Sequence, residues 1–260
     1  MTYPSGTPIS YWIDSTSAPN YPKLTTDVTV DVAIVGGGIA GLTTAALLKK
    51  AGKTVAVIDS RQIAAGTSGH TTAKVTSLHQ LIYASLIKEI GEEKAKLYAE
   101  ANQAGVEQVA RFVAEENIDC DFSRIAAYTF AETDKALDQV KDEVEAAVKL
   151  GLPASFTQET SLPFEVLGAV KFENQVQFHV RKYLLHLAQM IIGDGSYIFE
   201  NTTVHSVEDG SYCQVLTESG VVGAKEVVIT TNLPILDQGL YFAKTYPKRS
   251  YLIGAAIAPS

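Results

Sequence analysis

The apolar positions along the chain change their period several times, and each change predicts an element. Val30, Val32, Ile34 and Val35 form a short β-branched run ended by Gly36-Gly37-Gly38, and residues 39–51 are then rich in alanine and leucine up to Gly52. Strand, tight turn, helix and C-cap follow in that order. A second apolar run over residues 55–58 ends at Asp59. Residues 28–59 therefore read as one βαβ unit with a parallel strand pair, the opening of a doubly wound sheet with Ala45 and Leu48 on the helix face that meets it.

Further along, residues 63–77 are small and polar, Ala65-Gly66-Thr67-Ser68-Gly69-His70-Thr71-Thr72 at their centre, and predict a loop that approaches a ligand. Ala95, Tyr98, Ala101, Gly105, Val109 and Phe112 recur at helical spacing over 92–116, as do Leu137, Val140, Val144 and Val148 over 134–150. Between these helices, residues 118–122 and 125–130 read as strands, and 169–178 as a hairpin turning at Glu173-Asn174. This mixture predicts an α+β region inserted into the first fold. Residues 179–192 predict a helix. After it, 197–199, 203–208, 212–218 and 221–224 predict a meander of short strands with turns at Asp209-Gly210 and Ser219-Gly220, and 226–230 a last buried strand. Residues 251–257 read as a strand separated from its partners, and the first 27 residues as an irregular arm.

Composition narrows the partners. Among 260 residues, 21 Lys+Arg against 29 Asp+Glu leave a net charge of 21 − 29 = −8, which lacks the basic excess that a phosphate backbone demands and argues against nucleic acid. Cys120 and Cys213 form no paired spacing, so neither a zinc cluster nor a disulfide framework follows and a reducing cytoplasm is expected. Residues 1–12 show no basic-then-apolar pattern and no apolar run approaches the length of a membrane span, so a soluble protein that is not exported is expected. The five histidines show no metal-ligand spacing, with His179 and His186 seven apart. The runs Lys141-Asp142-Glu143 and Glu92-Glu93-Lys94 read as solvated helix faces.

The chemistry concentrates at Gly36-Gly37-Gly38-Ile39-Ala40-Gly41, which satisfies G-x-G-x-x-G. Gly36 makes the tight turn, Gly38 lets a pyrophosphate meet bare backbone, and Gly41 lets helix and strand pack closely. The amides of Ile39 and Ala40 then stand at a helix N-terminus, which favours an anion. Asp59, 18 residues past Gly41, stands where a carboxylate accepts ribose hydroxyls. Aspartate there is common with NAD, and glutamate with flavins. The Gly66–Thr72 segment favours the flavin, because its hydroxyls and bare amides can reach both pyrophosphate and an isoalloxazine edge.

The phrase from Asp59 through Ala65-Gly66-Thr67-Ser68-Gly69-His70-Thr71-Thr72 to Thr76, with Leu81-Ile82-Tyr83 after it, resembles FAD-dependent oxidoreductases of the glycine oxidase and D-amino-acid oxidase type. Among these it looks most like the bacterial branch with a C-terminal Rieske [2Fe–2S] domain. Val176-Gln177-Phe178-His179 opening a helix, the meander, and Val227-Val228-Ile229-Thr230-Thr231-Asn232 match in the same order, although Val180 replaces the usual proline. The resemblance implies an α/β fold: an FAD-binding, doubly wound Rossmann-like domain with a three-stranded-type β-meander, plus part of an inserted α+β substrate domain. Its expected layout is an arm over 1–27, FAD-binding parts over 28–77 and 179–235, and substrate-domain parts over 78–178 and 236–260.

By the same resemblance, Gly36, Gly38, Ile39, Ala40 and Gly41 hold the pyrophosphate, Asp59 and Ser60 the ribose, and Arg61 flanks the adenine. Thr67, Ser68, Thr71 and Thr72 line the path to the flavin ring. Val204 and Thr230 are either cofactor contacts or plain strand residues. His70 and His79 flank the flavin loop, and Lys74 either steers a ligand or is solvated. The implied activity is oxidation of a C–N bond of an amine or amino acid, with FAD as cofactor and a [2Fe–2S] cluster in sequence past Ser260. Alternatives are a flavin dehydrogenase passing electrons to that cluster and a non-catalytic dinucleotide-binding module. No catalytic residue and no metal ligand is assigned. The expected partner is a small molecule, with self-association through the 251–257 edge as a further expectation.

Overall fold

A computed structural model describes residues 8–236, 239–246 and 248. The elements run α1 (Tyr11–Asp14), β1 (Val28–Val35), α2 (Ile39–Lys50), β2 (Val55–Ile58), β3 (Lys74–Val75) and α3 (Tyr83–Ile90). There follow α4 (Glu92–Glu115), β4 (Ser123–Ala131), α5 (Asp134–Lys149), β5 (Ala154–Thr157), β6 (Gly168–Gln177) and α6 (Val180–Ile191). The chain ends with β7 (Tyr197–Phe199), β8 (Val204–Glu208), β9 (Cys213–Thr217), β10 (Val221–Ile229) and α7 (Tyr241–Lys244). The expected strand over 251–257, and the self-association built on it, lie outside the described residues.

The chain divides into two compact units, one of residues 21–63 and 191–260, the other of residues 1–20 and 64–190. Residues 64–77 and 179–190 thus fall with the second group, whereas the sequence assigns them to the FAD-binding part.

The first unit is built on a six-stranded sheet in the order β7-β2-β1-β10-β9-β8. β1 runs parallel to β2 and to β10, with Ile34 opposite both Val57 and Val228. The strands of β2 are covered on both faces, and Val55, Ala56, Val57 and Ile58 are fully buried, as a βαβ sheet with apolar runs requires. Asp31 ties the central strands together: its carboxylate accepts from Lys225 Nζ at 2.7 Å and from the Thr54 amide at 3.0 Å. Those bonds, the lysine's first, hold its carboxyl well below the ordinary range. β8, β9 and β10 form the antiparallel meander. Two expectations change here. Residues 221–224 and 226–230 are one strand, and β7 leaves the meander to pair in parallel with β2 at the far edge, because its two buried residues, Ile198 and Phe199, find their cover there.

In the second unit, β6 is flanked by β4 on one side and by β3 and β5 on the other. Residues 168–177 are therefore a single strand and not a hairpin. Asn174 adopts φ +57° without reversing the chain, near the shift of register between Ile125 and Ala127 on β4, and absorbs the irregularity as a bulge. Residues 118–122 are not a strand. The core joins α3, α4 and α5 to this sheet around Tyr83, Ala95, Ala99, Val140 and Phe172, with Tyr83 stacked on Phe172 at 6.1 Å between centroids. The buried stripe of α4 is Ala95, Ala99, Val106 and Phe112, while Ala101 and Gly105 face solvent.

Glu143 also departs from expectation. It is fully buried, and its carboxylate accepts from the amides of Ile82, Tyr83 and Ala84 at 2.8, 2.8 and 2.9 Å. It caps the start of α3 from the neighbouring helix, supplying the acceptors that a helix N-terminus lacks.

Candidate nucleotide-binding site

β1 delivers the chain to Gly36, which takes φ +113° and donates its amide to Ile58 O at 2.8 Å. That conformation suits glycine alone, and a Cβ there would stand 2.9 Å from Thr230 O. Gly38 is the extended N-cap of α2 and contributes no capping side chain. Gly41, in the first turn of α2, is buried, and a Cβ on it would meet Gly36 O at 1.8 Å. Ile39 and Ala40 are exposed at this helix start. The backbone at the turn is therefore left bare toward solvent while its rear is locked against the sheet.

Gly37, the spacer position in the motif, is as constrained as its neighbours, which the motif's spacing does not reveal. It is buried, and a Cβ on it would lie 2.5 Å from Ile63 Cγ2. Its amide donates to Asp59 Oδ2 at 2.8 Å, and Asp59 Oδ1 accepts from the Arg61 amide at 2.9 Å. Each carboxylate oxygen has a second lone pair for a hydroxyl. Ser60 and the Arg61 side chain are exposed beside it.

The segment that follows β7 braces this carboxylate. Asp59 N donates to Phe199 O at 2.9 Å, Thr202 N to Asp59 O at 2.9 Å and Asn201 N to Arg61 O at 3.2 Å. The buried Glu200 accepts from the amides of Ile63 and Tyr21 at 2.9 and 3.2 Å, and its charge, after burial itself, pushes the Tyr21 phenol up. Glu200 and Thr202 escaped the sequence reading. Their only signal is a polar triplet, Glu200-Asn201-Thr202, directly after an apolar strand.

Thr230 closes the turn from β10. Its hydroxyl donates to Gly36 O at 2.9 Å, with Val35 O at 3.0 Å, and its amide donates to Val35 O at 2.8 Å. The next residue, Thr231, has a buried hydroxyl oxygen without a hydrogen-bond partner. Val204 opens edge strand β8, with β9 and β10 between it and β1, and packs against the core cluster of Val30, Phe199 and Val215.

Thr67, Ser68, Thr71 and Thr72 belong to the other unit. Thr67–His70 is a single 3-10 turn, with Ala64 and Ala73 at φ +53° and +56° on either side, a left-handed setting that alanine rarely takes. Thr67 and Thr72 are exposed, and Thr71 Oγ1 accepts from the Ala73 amide at 3.3 Å. His70 Nδ1 lies 2.9 Å from Gly66 O, and His79 Nδ1 lies 3.1 Å from Tyr98 Oη. Lys74 is exposed on β3.

The geometry of the first unit fits the phosphate and ribose end of a dinucleotide. A cradle stands where three glycine Cβ atoms would collide with neighbours, a carboxylate lies one hydrogen bond from it, and an unpartnered buried hydroxyl follows Thr230. No helix among the described residues is long and apolar enough to cross a membrane.

A Bacillus subtilis protein described as a Rieske 2Fe-2S iron–sulfur protein, YhfW, is 37% identical over 254 residues, covering 97% of this chain and 50% of that protein. Gamma-glutamylputrescine oxidoreductase of Escherichia coli is 25% identical over 224 residues, covering 84% of this chain and 52% of that protein. The chain spans about half the length of these curated relatives. Glycine oxidase from Geobacillus kaustophilus shares the fold, with a TM-score of 0.63 at 20% identity over 83% of this chain and 59% of that one. Residues 31–258 match the family described as FAD dependent oxidoreductase, and the chain belongs to that family.

Proposed function

We propose that this chain binds FAD and serves an oxidoreductase that oxidises a C–N bond of an amine or amino acid. The observation that carries the reading is the locked turn at Gly36–Gly41 joined through Gly37 to Asp59, in a chain of this family. Gly36, Gly38, Ile39, Ala40 and Gly41 hold the pyrophosphate, Asp59 and Ser60 the adenosine ribose, and Arg61 the adenine side. Thr67, Ser68, Thr71 and Thr72 serve the flavin end, with Thr230 closing the turn and Val204 on the adenine side. Bound FAD supplies the electron sink for the oxidation. The residues of the chain hold and orient it. Residues 28–77 and 179–235 are the cofactor-holding part, and 78–178 with 236–260 belong to a substrate domain. Unpaired cysteines support a cytoplasmic setting.

The relative described as a Rieske protein favours a second reading of the electron acceptor, a [2Fe–2S] cluster in a further domain. Purified full-length protein tests both. The expected result is a flavin visible band that bleaches on anaerobic addition of amines or amino acids. Protein that carries NAD and no flavin overturns the reading. Reoxidation by oxygen alone, with no cluster signal in electron paramagnetic resonance, removes the second acceptor.

A further inference from the structure

We infer that the N-terminal arm is a strap, with Ser10 and Trp12 as positioning residues that hold the backbone of the Gly66–Thr72 loop. Two carbonyl oxygens of the loop are engaged by the arm: Ser10 Oγ donates to Gly69 O at 2.5 Å, and Trp12 Nε1 donates to Thr71 O at 2.7 Å. Ile13 completes the contact. A Cβ added to Gly69 would come within 3.3 Å of Ile13 Cδ1 and 2.6 Å of Ala64 O, so glycine at 69 lets arm and loop meet. The loop needs such support. Its residues are small and polar and offer little surface for burial, and the left-handed alanines at its two ends persist only where surrounding contacts fix them.

The arm is itself anchored to the start of α6. Arg181, buried, donates through Nη1 to Ile13 O at 3.2 Å, Thr16 O at 3.0 Å and Thr16 Oγ1 at 3.0 Å. His179, also buried, meets Ser15 Oγ at 3.0 Å through Nε2 and the edge of Trp12 at 4.9 Å between centroids. His179 Nδ1 accepts from the Lys182 amide, which leaves the proton on Nε2 to be donated to Ser15. A rigid helix start thus passes its position through the seven arm residues 10–16 to a loop more than a hundred positions earlier in the chain than that helix. An arm that merely covered a surface would not direct both its indole N–H and a serine hydroxyl onto carbonyls of this one loop, and the helical turn α1, where the sequence predicts irregular chain, sets the two side chains for it.

The link to the cofactor rests on the reading of Thr67, Ser68, Thr71 and Thr72 as its flavin-side contacts. The test uses the full-length protein as wild type, Trp12→Phe and Ser10→Ala. Trp12→Phe keeps an aromatic ring at the position beside His179 and removes the indole N–H together with part of the ring system. Amide hydrogen exchange of residues 66–73, read without added flavin, is expected to accelerate by roughly fivefold in each variant, the value of one hydrogen bond, with residues 134–149 unchanged as the internal control. In the flavin-loaded protein, release of flavin is expected to rise by a similar factor, with a changed visible circular dichroism band. Unchanged exchange over 66–73 in both variants overturns the strap. Faster exchange with unaltered flavin release and dichroism overturns its link to the cofactor. Wild-type protein that takes up no flavin instead removes the functional reading, while the exchange result still decides the strap.

Discussion

The amide of Gly37 donates a 2.8 Å hydrogen bond to Asp59 Oδ2, so the carboxylate assigned to the ribose is also a strut of the phosphate turn. Asp59→Ala is expected to weaken FAD binding by about 1.5–3 kcal/mol through the lost charged contact, and to loosen the turn as well. Asp59→Asn keeps an acceptor for Gly37 and is expected to fall between the two. Flavin titration into apoprotein checks both, and equal affinity in all three proteins would remove Asp59 from the site.

Two glycines on helices separate close packing from mere flexibility. Gly41→Ala places a methyl 1.8 Å from Gly36 O and is expected to cost about 3 kcal/mol or more, with loss of flavin. Gly105, within α4, has nothing within 4 Å of a built Cβ. Gly105→Ala is expected to stabilise by about 0.5–1 kcal/mol. Urea unfolding of the two variants should move in opposite directions.

Glu143 gives a stability prediction away from the cofactor. Glu143→Ala leaves the amides of Ile82, Tyr83 and Ala84 without their acceptor, and a cost of about 3 kcal/mol is expected. Glu143→Gln, with one acceptor oxygen left, should lose less. Variants that unfold at the wild-type midpoint would show that water replaces the cap without penalty.

His179 makes docking of the arm depend on pH. Burial, then the charge of Lys182, lowers its affinity for a proton, while Asp121 opposes them. The unfolded chain therefore binds this proton more readily. The stability contributed by neutral His179 is fully present above the unfolded value of about 6.5 and is lost as pH falls through the lower folded value. Thermal midpoints measured downward from neutral pH should fall more steeply for wild type than for His179→Gln. Parallel slopes would exclude the histidine as the titrating group.

The βαβ unit was legible because its signals are local: Val30 to Val35, three glycines, a helix and Asp59 lie within a few turns of one another, and each demands the next. The bracing of that unit was not. Gly37 is constrained by Ile63, Asp59 by Phe199 and Thr202, and Gly36 by Thr230, and no period in the sequence announces which distant segment supplies an acceptor. Glu143 was hidden differently. It stands in a charged run at a position that points inward, and a carboxylate is admitted there only because three amides of another helix meet it. Residues 169–178 read as a hairpin because Glu173-Asn174 is turn chemistry, and the same asparagine conformation serves equally well in a bulge.

The hydrogen bond from Thr230 to Gly36 joins residues 194 positions apart, and the parallel seam between β1 and β10 has the same reach. During synthesis, the ribosome therefore releases the glycine turn long before the strand that backs it exists. The edge of β1 that awaits β10 carries Val32, Ile34 and Val35 and open backbone groups, a template for wrong pairing until translation passes Thr230. High contact order slows the step further. The nascent protein is thus most vulnerable to aggregation in that interval, and the assembly of the nucleotide cradle marks its end.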